Sequence, residues 1–149
     1  MKSLILSAAV IFALTFNAAA AAAEPVNEKV LKTFSLIFKD VNNVSWSNTG
    51  KHFEAYFVAN DIKTRALLDV NGNLIQTIRY YKEDGLPSNI LYSIKKAHQG
   101  KDIWGVTEVS NHNGVNYRIV LKDDKSYTHI NANSTGDSEV VKKYKRGDK

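Results

Sequence analysis

Several residues of this chain could bind a metal ion, but their spacing does not fit a metal site. The four histidines, His52, His98, His112 and His129, have none of the short spacings that bring two ligands to one metal. The stretch from Asp69 to Asn73 (DVNGN) begins like a calcium-binding loop. Its glycine stands at the fourth position instead of the sixth, and Tyr80 replaces the glutamate expected at the twelfth. We therefore predict a hairpin there, and neither a metal site nor a cofactor in the chain.

Residues that could act as a catalytic nucleophile lack surroundings that would activate them. The chain has no cysteine, and none of Ser88, Ser93, Ser110 and Ser126 lies in a Gly-x-Ser-x-Gly motif. Asp123 and Asp124 could mimic a catalytic carboxylate pair, but we expect nothing at an exposed hairpin tip to shift a carboxyl pKa. The sequence therefore predicts a protein that is not an enzyme.

The hydrophobic pattern predicts two helices and eight strands. From His52 to Val58 apolar and other residues alternate, with Phe53, Ala55 and Phe57 on one face, which is typical of a half-buried strand. Similar patterns predict strands at 44–47, 62–70, 74–81, 102–110, 115–122, 125–131 and 138–144. Apolar residues at helical spacing follow Asn27, a plausible cap, and Pro87, which suits a first helical turn.

The two halves of the chain resemble each other. A shift of 60 residues places Val30 and Phe34 on Ile90 and Ile94, and a shift of 64 places Gly72 on Gly136. Each half, at about 27–81 and about 87–144, would be a helix followed by a four-stranded antiparallel meander. We expect an α+β fold in which one curved sheet carries both helices on one face and leaves a concave opposite face.

The predicted polar face of this sheet is the candidate binding site. Tyrosine and arginine are enriched in binding hot spots, and an arginine on the helix-packed side would be an unpaired buried charge. We therefore hypothesise a binding face formed by Tyr56, Arg65, Arg79, Tyr81, Arg118, Tyr127 and His129. The alternative is that these are ordinary solvated strand residues.

The N-terminus has the order of charged, apolar and small residues found in secretory signal peptides. Lys2 precedes the apolar run from Leu4 to Phe16, and an alanine-rich stretch ends at Ala23 before Glu24. We predict a signal peptide over 1–23, with an uncleaved membrane anchor as the alternative. No cysteine follows the site, so a lipoprotein anchor is excluded. Residues 24–149 contain no further apolar run of membrane-spanning length, and we expect a periplasmic or secreted protein.

The formal net charge is +5, and much of the basic excess lies near the C-terminus. The tail contains Lys142, Lys143, Lys145, Arg146 and Lys149. Because the chain is predicted to be exported, these residues indicate a solvated end or one that seeks anionic surfaces, and no nucleic-acid partner is expected.

The chain resembles the bacterial PepSY-like, β-lactamase-inhibitor-like (BLIP-like) family of secreted proteins. The resemblance rests on the first helix, the Val-x-Trp motif at Val44 to Trp46, the strand His52 to Val58, the Asp-x-Asn-Gly motif ending at Gly72, and the Leu86-Pro87 start of the second helix. It covers almost all of residues 24–149 and implies the tandem helix-plus-meander fold. It implies no particular activity, since the family is named for its fold.

Two functions are compatible with these features. The first is a non-catalytic periplasmic or secreted binding module that contacts a protein or envelope component through the concave sheet face. Inhibition of a protein or enzyme is one form that this binding could take. The second is a structural or envelope-surface protein whose basic tail contacts anionic polysaccharide or lipid headgroups. Salt should separate them, because a contact made by the tail would weaken steeply with ionic strength.

Export can be tested directly. Because Ala21 and Ala23 form an Ala-x-Ala cleavage site before Glu24, mass spectrometry of the protein from its host should show an N-terminus at or next to Glu24. Recovery of a membrane-bound chain that still begins at Met1 would show that the segment is an anchor.

Overall fold

The computed structural model describes residues 25–147, which form two helices and one eight-stranded antiparallel sheet. The elements are α1 (Glu28–Ile37), β1 (Ser45–Asn48), β2 (His52–Ala59), β3 (Ile62–Asp69), β4 (Leu74–Tyr81), a single-turn 3-10 helix (Glu83–Gly85), α2 (Ser88–Ala97), β5 (Asp102–Asn111), β6 (Gly114–Lys122), β7 (Ser126–Ala132) and β8 (Ser138–Lys145). The strands lie in the sheet in chain order, so each one pairs with its neighbours in the sequence. The predicted two helices and eight antiparallel strands are confirmed.

The predicted signal peptide, residues 1–23, and its cleavage site at Ala23 and Glu24 lie outside the described residues, and both stay predictions. Neither helix between residues 25 and 147 is long and apolar enough to cross a membrane.

Helix α1 begins at a side chain that also ties it to the sheet. The Asn27 side-chain oxygen accepts a hydrogen bond from the backbone N–H of Val30 at 3.0 Å, and its Nδ2 donates to the Val70 carbonyl oxygen at 3.0 Å. The first of these bonds satisfies an amide that would otherwise have no partner in the first helical turn. Helix α2 has no side-chain cap and starts directly after Pro87. Lys95 and Lys96 in its last turn stabilise the helix dipole.

Both helices cover the same face of the sheet. Helix α1 contributes Val30 and Phe34 to a buried cluster with Phe53, Ala55, Phe57, Ala66 and Leu68. Helix α2 contributes Ile90 and Ile94 to a second cluster with Leu86, Ile103, Val106, Tyr117, Ile119, Leu121, Ile130 and Ala132. Cross-strand partners share a face, and one row runs from Ala66 through Thr77 and Ser110 to Val115, which packs against the second cluster. The opposite side is called the open face below.

Strand β4 lies between the two clusters. The first cluster takes its sheet residues from β2 and β3, and the second takes them from β5, β6 and β7. No residue of β4 is fully buried, and only Tyr81 packs against a cluster. The helix-bearing side of the sheet therefore has a partly covered strip along β4.

The turns between β3 and β4 and between β7 and β8 share one hydrogen-bond pattern. Asp69 Oδ1 accepts from the backbone N–H groups of Asn71 and Asn73 at 2.8 and 2.9 Å. Asn133 Oδ1, 64 residues later, accepts from those of Thr135 and Asp137, both at 3.0 Å. Such bonds from a turn's first side chain fix its backbone locally.

The glycines of these turns, Gly72 and Gly136, lie directly against the helices. Their φ angles are +85° and +92°, in the region that favours glycine. A Cβ atom on Gly72 would lie 2.7 Å from the Lys29 carbonyl oxygen, and one on Gly136 would lie 2.7 Å from Ser93 Cβ. The contacts fall near the start of α1 but in the middle of α2, so the two halves are similar without being identical.

The contact between turn and helix can be tested with two glycines of nearly equal φ. Gly72→Ala should lower the free energy of unfolding by more than the roughly 1–2 kcal/mol that left-handed strain alone costs, because its new methyl group would collide with the α1 backbone. Gly50→Ala, at φ +81° with no atom within 4 Å of the new methyl, carries the strain alone. Urea denaturation measures both variants. Equal losses would show that the turn does not press on α1.

Candidate binding surface

Five of the seven residues of the predicted binding face lie on the open face. They are Tyr56, Arg65, Arg118, Tyr127 and His129, and each stands in its strand between two buried neighbours. Arg118, for example, lies between Tyr117 and Ile119, both of the second cluster. Because successive strand residues point to opposite sides, burial of the neighbours fixes the direction of all five side chains.

The placement of Arg79 and Tyr81 on the open face was wrong. Arg79 is the cross-strand partner of Thr64 and of Glu108, and Tyr81 is the partner of Val106. Thr64 and Val106 are buried on the helix-bearing face, so Arg79 and Tyr81 lie there too. The prediction assumed that an arginine on this side would have no partner, but Glu108 on β5 provides one.

Arg79, Tyr81 and Glu108 form a polar cluster in the strip along β4. Arg79 Nη1 donates to Glu108 Oε1 at 3.2 Å, and the Tyr81 hydroxyl donates to Glu108 Oε2 at 2.6 Å. Burial is the main cause that raises the pKa of Tyr81 well above its ordinary value, and the hydrogen bond to Glu108 raises this pKa further. Burial also raises the pKa of Tyr117 beside this cluster. The arrangement links β4 to β5 where no helix covers the sheet.

On the open face of the first half, Arg65 joins two neighbouring strands. Its Nε donates to Glu54 Oε1 of β2 at 2.7 Å. Hydrogen bonds to the Tyr80 hydroxyl of β4 and to Glu54 raise the pKa of the Arg65 guanidinium. Tyr56 lies directly opposite Arg65 in the β2–β3 register and is 42% exposed. Tyr56 and Arg65 therefore form an ordered patch with one exposed aromatic ring.

The second half carries a larger group of rings and cations, which we call the aromatic–cationic cluster. Its members are Trp104, Tyr127, His129, Tyr144, Lys82, Lys122, Lys142 and Arg146. The ring centroids of Trp104 and Tyr127 are 6.1 Å apart, and those of His129 and Tyr144 are 5.2 Å apart. Tyr127 and Tyr144 are cross-strand partners, which joins the two ring pairs into one surface.

Cations lie over the rings of this cluster. The ammonium groups of Lys122 and Lys82 are 4.4 and 4.8 Å from the centroid of Trp104, which is 49% exposed. Lys142 lies 4.9 Å from the Tyr144 ring, and the Arg146 guanidinium 5.8 Å from that of Tyr127. Each such contact contributes about 0.5–1 kcal/mol at an exposed site. The cluster is thus a positively charged surface with aromatic rings beneath it.

Of this cluster, the predicted binding face included only Tyr127 and His129, and the predicted basic tail included Lys142 and Arg146. Trp104 was missed because β5 is irregular there: Ile103 pairs with Leu121 while Gly105 pairs with Val120. The extra residue of the bulge is Trp104, and a bulge re-aims a side chain in a way that strict alternation does not predict. A possible signal was the unusual sequence Trp104-Gly105 inside a predicted strand, because glycine in a strand often marks a bulge.

Two depressions lie beside these residues. One, of about 780 Å³, has Lys63, Tyr80, Thr107 and Val120 in its lining and shares Lys82 with the aromatic–cationic cluster. The other, of about 590 Å³, has Asn116, Arg118, Asn131 and Glu139 in its lining. Both are open clefts.

Solved structures of bacterial proteins have the same architecture. A BLIP-like protein from Bacteroides fragilis matches with a TM-score of 0.62 and 13% identity over 83% of this chain and 90% of its own. A DUF2874 family protein from Bacteroides ovatus matches with a TM-score of 0.61 and 18% identity over 83% and 89%. A protein from Bacteroides eggerthii, predicted to be periplasmic, matches with a TM-score of 0.60 and 16% identity over 81% and 89%.

The chain has a BLIP-like fold. At these identities the likeness concerns the fold alone. No protein-family model matches the sequence, and no curated protein matches it. The resemblance noted from the sequence is confirmed at this level, and the BLIP-like fold carries no site residues over to this chain.

One serine and one histidine of this chain lie in contact. His98 Nε2 lies 3.0 Å from Ser138 Oγ, and burial, followed by the charge of Lys101, lowers the pKa of His98. His98 also caps the C-terminal end of α2, because its backbone N–H donates a hydrogen bond to the Ile94 carbonyl oxygen at 3.0 Å. Among residues 25–147 no carboxylate contacts its ring, so the orienting third group of a hydrolase triad is missing there.

The Asp123-Asp124 hairpin tip corrects one expectation. A hydrogen bond from Lys101, and further ones from Lys125 and Ser126, hold the pKa of Asp123 below its ordinary range. The Asp123 carboxylate fixes the turn between β6 and β7, because it accepts hydrogen bonds from the backbone N–H groups of Lys125 (2.9 Å) and Ser126 (2.6 Å).

In the described part of the chain, no group of three or more histidine, aspartate or glutamate residues could hold a metal ion.

The polar cluster along β4 predicts a loss of stability in alkali. Tyr81 has a higher pKa in the folded state than in the unfolded state. Its contribution to the free energy of unfolding is therefore fully present below the unfolded-state pKa of about 10 and is lost as the pH rises above that value. At neutral pH Tyr81→Phe should cost about 1.5–3 kcal/mol, the range for a hydrogen bond to a charged group.

Urea denaturation between pH 7 and 11 provides the measurement. The free energy of unfolding should fall less steeply above pH 10 in Tyr81→Phe than in the wild type. Tyr92→Phe, at a ring that is 66% exposed, controls for the loss of one phenol. Parallel curves for the wild type and Tyr81→Phe would contradict the role given to the hydrogen bond between Tyr81 and Glu108.

Proposed function

We propose that the protein is a non-catalytic, exported binding module that contacts a protein or envelope component through the open face. The observation that carries this proposal is the aromatic–cationic cluster, which gathers four rings and four cations on the side of the sheet that neither described helix covers. Inhibition of an enzyme is one form that such binding could take.

The open-face residues do not take part in the buried core. Tyr56 and Arg118 are exposed, and neither belongs to a buried cluster. Tryptophan, tyrosine and arginine supply much of the binding energy in protein interfaces because each combines a large contact area with a polar group. Residues of these types that do not stabilise the fold are the ones expected in a contact surface.

The distances across the sheet favour a macromolecular partner. Tyr56 on β2 and Arg118 on β6 are four strands apart, which corresponds to roughly 19 Å at ordinary strand spacing. Tyr144 on β8 lies two strands further. A single partner that touches both patches must therefore be about as wide as a small protein domain.

The structural neighbours support this proposal only in part. Proteins described as BLIP-like and as predicted to be periplasmic are compatible with an exported binding module.

We further propose that the two halves arose as a tandem repeat, because the turns that begin at Asp69 and Asn133 have the same pattern of hydrogen bonds and lie 64 residues apart.

The second candidate, contact of a basic tail with anionic polysaccharide or lipid, rests on the exposed lysines near the C-terminus. Lys142, Lys143 and Lys145 belong to β8, and the register places Lys142 on the open face and Lys143 on the helix-bearing face. Cations divided between two sides of a strand present less charge to a flat surface than a flexible tail would. This arrangement favours the first candidate.

The proposal predicts separate effects on binding and on stability. The double substitution Tyr56→Ala with Arg118→Ala should abolish capture of the partner from envelope extract and leave the melting temperature nearly unchanged. The matched control is Tyr92→Ala with Lys96→Ala, an exposed tyrosine and its neighbouring cation on α2.

Affinity capture followed by mass spectrometry, with thermal melts of each variant, provides the measurement. Capture that survives the substitution of Tyr56 and Arg118 would exclude a contact that spans the open face from β2 to β6. Loss of capture in both double variants would exclude a site confined to the open face, and a lowered melting temperature would show that Tyr56 and Arg118 support the fold.

A further inference from the structure

Strand β8 is the last strand of the sheet in the part of the chain that the structure describes. It is eight residues long, whereas β1 at the other end has four. Its residues from Glu139 to Lys145 are all exposed, and Val140 and Val141 are 59% and 57% exposed. Within residues 25–147 no strand pairs with its outer side. An edge strand of this length offers a row of unpaired backbone N–H and C=O groups.

The edge is strongly basic on both of its faces. The edge carries four cations and one acidic residue, Glu139. The cations are Lys142, Lys143, Lys145 and the adjacent Arg146. Lys142 and Tyr144 pair with His129 and Tyr127 on the open face. Lys143 and Lys145 pair with the buried residues Thr128 and Ser126, and so lie on the helix-bearing face. Among the described residues none of these four cations has a carboxylate within ion-pair distance.

Edge lysines commonly prevent two copies of a sheet from pairing, and that explanation accounts for part of this pattern. A second β8 would bring like charges together across the new ladder, which is destabilising. Protection alone does not account for the length of the strand or for the exposed valines. A partner strand of opposite charge would turn the same lysines into favourable cross-strand pairs.

We propose that β8 accepts an extended acidic segment of a partner protein as a ninth strand of the sheet. A polypeptide is required because only its amide groups can pair with the edge in a continuous ladder. Acidic side chains are required on both faces of the added strand, because β8 presents lysines on both. The site is the sheet edge, so the proposal does not depend on binding through the open face.

The bulge in β8 limits where pairing can occur. His129 pairs with Lys142 while Ile130 pairs with Val140, which leaves Val141 as the extra residue. A bulge bends the strand and disrupts regular pairing. We therefore expect the added strand to pair regularly with the segment from Lys142 to Lys145, which carries three of the four cations, and to continue past Val140 after an interruption at Val141.

The probe is a capped peptide as long as β8, built of threonine and glutamate with glutamates on both faces. Isothermal titration of the purified protein should detect binding at about 50 mM NaCl that weakens at about 500 mM, as screening of exposed charges requires. Amide hydrogen exchange should slow in β8. Absence of peptide binding under the low-salt condition would overturn the proposal.

Two backbone-methylated forms of the peptide separate strand addition from simple charge attraction. One carries N-methyl groups on every residue, so it has no backbone N–H to donate to β8 from either edge. The other carries them on alternate residues only and keeps one edge free to pair with β8. The first form should lose binding and the second should retain it. Equal binding of both forms would overturn the proposal, because charge attraction does not distinguish them.

Charge-matched variants identify the lysines involved. The triple substitution Lys142→Gln, Lys143→Gln and Lys145→Gln should weaken peptide binding by about tenfold, the sum of three modest surface pairs. The control, Lys29→Gln, Lys32→Gln and Lys39→Gln, removes the same charge from exposed positions in and just after α1 and should change affinity by less than about twofold. Equal losses would overturn the assignment to β8.

Two further measurements test other occupants. Sedimentation of the protein alone should show a monomer, and a dimer with slowed exchange in β8 would assign the edge to a second copy. Dextran sulfate and vesicles containing phosphatidylglycerol should not slow exchange in β8. If either did so as strongly as the peptide, the edge would be a site for anionic polymers or membranes, contrary to the proposal.

Discussion

Two helices of ten residues must cover an eight-stranded sheet, and they can cover only one of its faces. This constraint determines how polar and apolar residues are distributed in the rest of the molecule. Strand residues that alternate toward the helices are buried, as Phe57 and Ile119 are. Those that alternate away remain in water, whatever their chemical type. An aromatic side chain on the open face is therefore covered by neither described helix, and Trp104 remains 49% exposed there.

The same constraint explains the polar cluster along β4. Neither helix reaches across the strip between the two hydrophobic clusters, so water can approach the sheet there. A fully apolar strip would remain partly exposed, whereas an ion pair with an additional hydrogen bond tolerates partial hydration. Arg79, Glu108 and Tyr81 join the two halves of the sheet by polar contacts at the position where hydrophobic packing is thinnest. The two clusters thus remain separate cores within one continuous sheet.

Much of the fold could be predicted from the sequence, because period-two alternation and turn residues are local signals. Tyr56, Arg65 and Arg118 could be placed for the same reason, since their strands alternate cleanly. The two faces of strand β4 could not be assigned, because Leu74 to Tyr81 has no buried residue to define its inner face. The partner of Arg79 lies 29 residues away, and its position depends on the register between β4 and β5. Leu31 and Ile37 also stand at helical spacing after Asn27, but both are exposed, because α1 contacts the sheet only through the line of Val30 and Phe34.

The two tryptophans lie in contrasting environments. Trp46 is half-buried and meets the Phe34 ring edge-on, with centroids 5.0 Å apart, inside the cluster beneath α1. Trp104 lies on the opposite side of the sheet, between lysine ammonium groups and water. The protein thus contains two tryptophan fluorophores that report on different parts of the structure. Quenching by a dissolved neutral molecule affects mainly the outer indole, whereas the emission of the inner one follows the packing of the first cluster.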